Sequence, residues 1–158
     1  MALLPSVATA QQKVHVSFKS SAENAKFIQQ VNVDVGDMPG HIVRVFDVHR
    51  TFPANQPVIN GLKLTEESDR GDVDIVNGSG SGTLYAVYVM DNGDKFSART
   101  TTLVEPGAGK LTATSVGVIT GGTGKLAGIQ GTVREVTTFD PKSGFNEAQT
   151  ELDYSIGQ

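Results

Sequence analysis

The chain has 158 residues, 17 acidic side chains against 13 basic ones, a formal charge of −4, a pI near 5.3 and no cysteine. That length suits one domain able to close a core without covalent staples. The scattered Lys and Arg offer no continuous track for a nucleic-acid backbone, no apolar run approaches the ~20 residues of a membrane-spanning helix, and the missing cysteine excludes disulfides, thiolate catalysis and Cys-ligated zinc.

Taken in chain order, residues 1–12 read as a tail. Ala8-Thr9-Ala10 has the small-x-small form of an export-signal cleavage site, which would place the protein in the periplasm or outside the cell, while an ordinary flexible tail would leave it cytoplasmic. A single β-domain is expected over 13–158. Lys13 to Lys19 alternates Val14, Val16 and Phe18 with polar residues, the period-two pattern of a half-buried strand. Phe27 to Val35 reads as a weaker strand, closed by the turn residues Gly36-Asp37-Met38-Pro39-Gly40.

His41 to Phe52 is the most informative strand. Ile42, Arg44, Phe46, Val48 and Arg50 share one parity, and His41, Val43, Val45, Asp47 and His49 the other, so both faces mix apolar with ionisable groups. An ordinary half-solvated strand does not do this, which marks one face as a cavity wall. Val58 to Ser68 reads as one strand broken at Asn60-Gly61 or as a hairpin about that pair. Glu66 to Asp72 alternates charges without an apolar pattern and reads as a solvated loop, with Glu66 or Glu67 the members that could turn into a site.

Gly78-Ser79-Gly80-Ser81-Gly82 reads as the start of a glycine-rich strand, Leu84 to Met90 as the most apolar strand, and Asp91-Asn92-Gly93-Asp94 as a hairpin turn into Lys95 to Leu103. Leu111 to Ile119 and Ile129 to Phe139 flank a corner holding Gly121, Gly122 and Gly124, with Gly128 and Gly131 beyond it. That corner fits neither phosphate-binding spacing: Leu126 follows Lys125 where a Walker loop needs Ser or Thr, and Ala127 stands where the dinucleotide motif needs its third Gly. Phe145 to Ile156 is the last strand. Short connections, no amphipathic helix and glycine within strands predict an all-β protein, a closed antiparallel barrel of about eight strands.

The order of these motifs from Gly78 through Gly131, together with Val45-Phe46-Asp47-Val48-His49-Arg50, resembles the allene oxide cyclase and dirigent superfamily over about two-thirds of the chain. The resemblance implies a calycin-like barrel with an apolar cavity that takes a lipophilic oxygenated molecule, a tendency to form dimers or trimers, and no cofactor. Asp47 falls where the cyclases have a Glu that stabilises developing positive charge and dirigent proteins have an Asp. His49 falls where the cyclases have an Asn that helps hold a water. Cyclisation or isomerisation by confinement is one expectation, and a non-catalytic dirigent-like or lipocalin-like binder is the alternative.

The residues themselves allow Asp47 and His49, about 6.6 Å apart along one strand face, to act as a carboxylate and acid–base pair. Arg44 and Phe46 lie on the opposite parity, so a regular strand sends only one set into the cavity. Arg44 with Arg99 would receive a ligand carboxylate, and Tyr85 and Tyr88 have opposite parity, so one of them points inward. No metal site is expected, because His41 and His49 lie roughly 26 Å apart on a regular strand and no paired-histidine motif occurs.

Overall fold

The computed structural model describes residues 12–157, so the Ala8-Thr9-Ala10 stretch lies outside the described residues. The strands are β1 (Val14–Ser20), β2 (Ala25–Asp34), β3 (His41–Thr51), β4 (Val58–Ile59), β5 (Leu62–Val76), β6 (Ser79–Met90), β7 (Lys95–Pro106), β8 (Leu111–Gly122), β9 (Ile129–Asp140) and β10 (Phe145–Ile156). Short 3-10 turns occupy Ala22–Asn24 and Gly124–Leu126. All the pairings are antiparallel, in the order β1-β10-β9-β8-β7-β6-β5-β3-β2, with β4 on β5.

The two edge strands, β1 and β2, are joined only by residues 21–24, so the sheet must curl until its ends meet. The expectation of eight strands closed by a ladder is corrected here. Ten strands form, and no ladder joins β1 to β2 among the described residues. Side chains bridge the seam instead: Phe18 stands edge-on to Phe52 at 5.7 Å, and Gln30 Nε2 donates to the Pro141 carbonyl at 3.1 Å. The wall is therefore continuous in packing and interrupted in hydrogen bonding.

Charge alternation also misled the reading of Glu66 to Asp72, which lies inside the 15-residue strand β5. Its register shifts between Leu64 and Glu66, where Thr65 bulges and donates its hydroxyl to the Val89 carbonyl at 2.9 Å. Leu62 and Leu64 point inward before the bulge, and Glu67, Asp69, Val73 and Ile75 after it. One inserted residue thus exchanges the two faces of the strand and carries two carboxylates into the interior.

Inside, Phe52, Ile59, Leu64, Met90, Phe96, Leu126 and Leu152 close one end of the barrel, and a smaller group, Val73, Ile75, Val104 and Ala113 with Phe46 and Phe139, lines the other. Each Val, Leu, Ile, Met or Phe side chain among them removed from water contributes about 1.5–3 kcal/mol. The glycine corner seals the first end. The Asp94 carboxylate accepts the Lys125 N–H at 2.9 Å and holds the 3-10 turn that inserts the fully buried Leu126. Gly124 has φ +53°, and a Cβ there would run into the Asp94 carboxylate. Gly80 and Gly82 let β6 cross close over β5, since a Cβ on either would land on the Asp74 or Asp72 carbonyl.

At the opposite end His41 Nε2 lies 2.8 Å from Asp74 and its Nδ1 2.7 Å from Asp37, tying the β2–β3 turn to β5. The Asp74 and Asp37 carboxylates raise the His41 pKa above its ordinary 6.5. The resulting stabilisation is complete below that ordinary value and fades as pH rises through the raised folded value. Thermal melts should show His41→Gln losing more against the wild type at pH 5.5 than at pH 9; an equal loss at both would show that the tie does not depend on the imidazolium.

Candidate functional site

β3 settles which face is inside. Val48 and Arg50 are buried, Arg44 and Phe46 line the interior cavity, and Val45 is exposed. Asp47 and His49 therefore lie on the outer face. Asp47 Oδ2 accepts from Arg70 Nε at 3.0 Å, and His49 Nδ1 lies 3.3 Å from the Ser68 hydroxyl. Asp47 borders an outer groove with Gln29, Val45, Arg70 and Tyr85. Of the tyrosines, Tyr88 points inward and stacks on Phe96 at 4.3 Å, while Tyr85 is outside beneath the Arg99 guanidinium at 5.9 Å. Arg44 and Arg99 are on opposite sides of the wall, and the fold does not bring them together.

The cavity encloses about 50 Å³ and continues into an open mouth. Its sides are apolar, with Phe27, Phe46, Val73, Leu84, Val104 and Phe139. Its floor is ionic. Arg50, 2% exposed, lies against Asp69, reaches Glu67 Oε1 at 3.5 Å and Glu135 Oε1 at 3.6 Å, and donates from Nη2 to Asn146 Oδ1 at 2.9 Å. Thr137 and Thr150 donate to the two Glu135 oxygens at 2.7 and 3.0 Å. Arg50, Asp69 and Glu135 line the cavity; Glu67, wholly buried, is the member of the cluster set back from it.

Register explains the assembly. Arg50 pairs directly across the ladder with Glu67, and Val48 with Asp69, so the Thr65 bulge delivers both acids to one guanidinium. Glu135 arrives from β9 beside Thr150 of β10. Burial pushes the Glu67 carboxyl up to about 8, against the pull of Arg50 and with the Glu135 carboxylate adding to the rise. Burial alone would lower Arg50, but Glu135 and Glu67 outweigh it and hold the guanidinium charged. Burial, with Glu67 alongside, likewise keeps the Tyr88 phenol neutral. Within the cluster, Glu67 is thus the acid whose protonated form burial favours.

Glu67, Asp69 and Glu135 present donor oxygens within 4.8 Å of one another, the spacing of a metal cage. The Arg50 guanidinium stands among them as the cation, and a metal ion would have to displace it. The sequence reading weighed histidines for metal and did not single out Asp69, Glu135, Thr137, Thr150 or Asn146. Glu135 had a signal: it interrupts the otherwise uncharged parity Ile129, Val133, Thr137, Phe139. Chemically, the floor can accept a proton, stabilise a developing positive charge and orient an oxygenated group, all through side chains that are themselves buried.

No family model matches the sequence, and no curated protein matches it. Solved structures do. The pterocarpan synthase dirigent protein GePTS1 superposes with a TM-score of 0.54 at 12% identity, covering 99% of this chain and 98% of its own. The pterocarpan synthase dirigent protein PsPTS1 gives 0.52 at 12% identity over 94% and 97%. A protein of unknown function from the DUF3224 family of Shewanella oneidensis MR-1 gives 0.51 at 12% identity over 94% and 100%. The chain has a dirigent-like β-barrel fold; the neighbours do not single out the allene oxide cyclase branch.

Removing the cation should expose the ionic design. Arg50→Met leaves three acidic side chains facing one another in the interior without their cation and should cost roughly 3–5 kcal/mol in urea denaturation at pH 7. Glu67 works in the other direction with pH. Its folded pKa lies above its unfolded one, so it removes stability as pH rises from 4.5 to about 8. Glu67→Gln should flatten that part of the stability profile and overtake the wild type at pH 9; an unchanged slope would show that Glu67 is not the buried acid.

Proposed function

We propose that the barrel binds a lipophilic oxygenated small molecule in its inner cavity and steers its cyclisation or isomerisation without a cofactor. The observation that carries this reading is the apolar cavity ending on Arg50, Asp69 and Glu135. A dry wall of Phe, Val and Leu side chains restricts the shapes of a flexible ligand and excludes water, while carboxylates at the floor favour a transition state that gains positive charge or loses a proton. The dirigent-like fold of the pterocarpan synthases is consistent with this use of the interior. The non-catalytic alternative keeps the cavity and the ligand and drops the role of the carboxylates.

Self-association belongs to the same proposal. Leu103, Val116 and Val118 are 57%, 54% and 54% exposed on the outer face of β7 and β8, with Tyr85 on β6 across Arg99 from Val118. Exposed apolar side chains interleaved in this way with Arg99, Thr101 and Thr114 fit an interface between copies of the chain. Export to the periplasm or beyond remains part of the proposal, on the Ala8-Thr9-Ala10 pattern.

Two measurements test these statements. Ala113→Leu fills the cavity from β8, and mass spectrometry of small molecules extracted from purified wild type and variant should find an oxygenated lipophile only in the wild type. Asp69→Asn should then retain that ligand and lose any conversion of it; conversion at the wild-type rate would remove Asp69 from the chemistry, and a wild type that binds the ligand without converting it leaves the binding alternative. In light scattering, the double variant Leu103→Lys, Val116→Lys should be monomeric where the wild type is a dimer or trimer, and a monomeric wild type would end the oligomer proposal.

A further inference from the structure

The inner face of β3 carries two guanidinium groups in opposite circumstances. Arg50 has three carboxylates around it. Arg44, roughly 20 Å away along the strand, forms none of the ion pairs found among the described residues. Its Nε donates to Asn32 Oδ1 at 2.7 Å, and its Nη1 is buried with no hydrogen-bond partner. It stands in the cavity wall with the rings of Phe27, Phe46 and Phe139. Burial lowers its pKa without any acid to oppose the shift, yet an arginine does not discharge near neutral pH.

A charge partly withdrawn from water and left without a counter-ion is costly, and the cost disappears when an anion is brought to it. With Nε occupied by Asn32, the Nη1–Nη2 edge is the free edge of the fork, and two parallel N–H groups match the two oxygens of a carboxylate. The other end of the cavity is the less favourable one for an anion, since the Arg50 guanidinium there already has Asp69 and Glu135 against it. The cavity is therefore polarised along its length, with an unpaired guanidinium at one end and a paired one at the other.

We propose that the ligand of this cavity is an organic carboxylate, held with its carboxylate on Arg44 and its apolar body directed toward Arg50. This rests on the reading that the cavity binds a small molecule, and adds the charge and orientation of that molecule.

Calorimetry on the full chain with 4-phenylbutanoate and its neutral isostere 4-phenylbutanamide tests this directly. The wild type should bind the carboxylate roughly tenfold or more tightly than the amide, the scale of a hydrogen-bonded charge. Arg44→Gln, checked for an unchanged melt, should erase that preference while keeping the amide affinity, and Arg44→Lys should restore part of it. Equal binding of both probes to the wild type, both lost in Ala113→Leu, would overturn the role of Arg44 and leave the cavity reading intact. A carboxylate preference surviving in Arg44→Gln would overturn it as well. Failure of both probes to bind the wild type would overturn the cavity reading and this inference together.

Discussion

A guanidinium held inside a β-barrel must be surrounded by anions and hydrogen-bond acceptors, and Arg50 obtains them from three other strands at once. β5 supplies Glu67 and Asp69, β9 supplies Glu135, and β10 supplies Asn146. Two of those acids face inward only because of the extra residue at Thr65. Straightening the bulge with Thr65 kept in line would put Glu67 and Asp69 in solvent and turn their neighbours Glu66 and Ser68 toward the guanidinium. The interior polarity of the barrel thus depends on one irregularity in one ladder.

The same cluster divides the interior into two regions with different tasks. On one side the larger apolar group, plugged by Leu126 under the Asp94-held corner, closes the barrel and provides most of the burial. On the other the smaller group leaves a cavity, and its walls are sparse enough for the ionic floor to meet whatever enters. A third carboxylate in excess of one guanidinium would be a poor choice for stability alone, as a well-packed apolar floor is as good or better. Neutralising Glu67 lessens that imbalance, and the remaining charge is polarity available to a ligand.

Much of the architecture was legible in the chain. The alternation of Val14, Val16 and Phe18, the run Leu84 to Met90 and the Asp91-Asn92-Gly93-Asp94 turn each appear where periodicity and turn chemistry put them. The two parities of β3 were legible as sets, and so was the conclusion that a regular strand sends only one inward. Choosing between them was not, since Arg44, Phe46 and Arg50 look no more buried in sequence than Val43, Val45 and Asp47. The charged stretch from Glu66 to Asp72 failed for the opposite reason: charge alternation is the mark of a solvated segment unless a partner waits inside, and the partner, Arg50, is remote in sequence.

What the sequence determined by itself is local: strand propensity, turn positions, the glycines that allow sharp bends, and hence an all-β chain curled on itself. These follow from backbone sterics and side-chain period, which act over a few residues. Only the tertiary structure decided which face of each strand is interior, that the seam is closed by Phe18 on Phe52 instead of a ladder, and that Arg50, Glu67, Asp69 and Glu135 converge while Arg44 stands unpaired. Those outcomes depend on ladder register and on contacts between strands distant in sequence, and a single bulged residue is enough to reverse them.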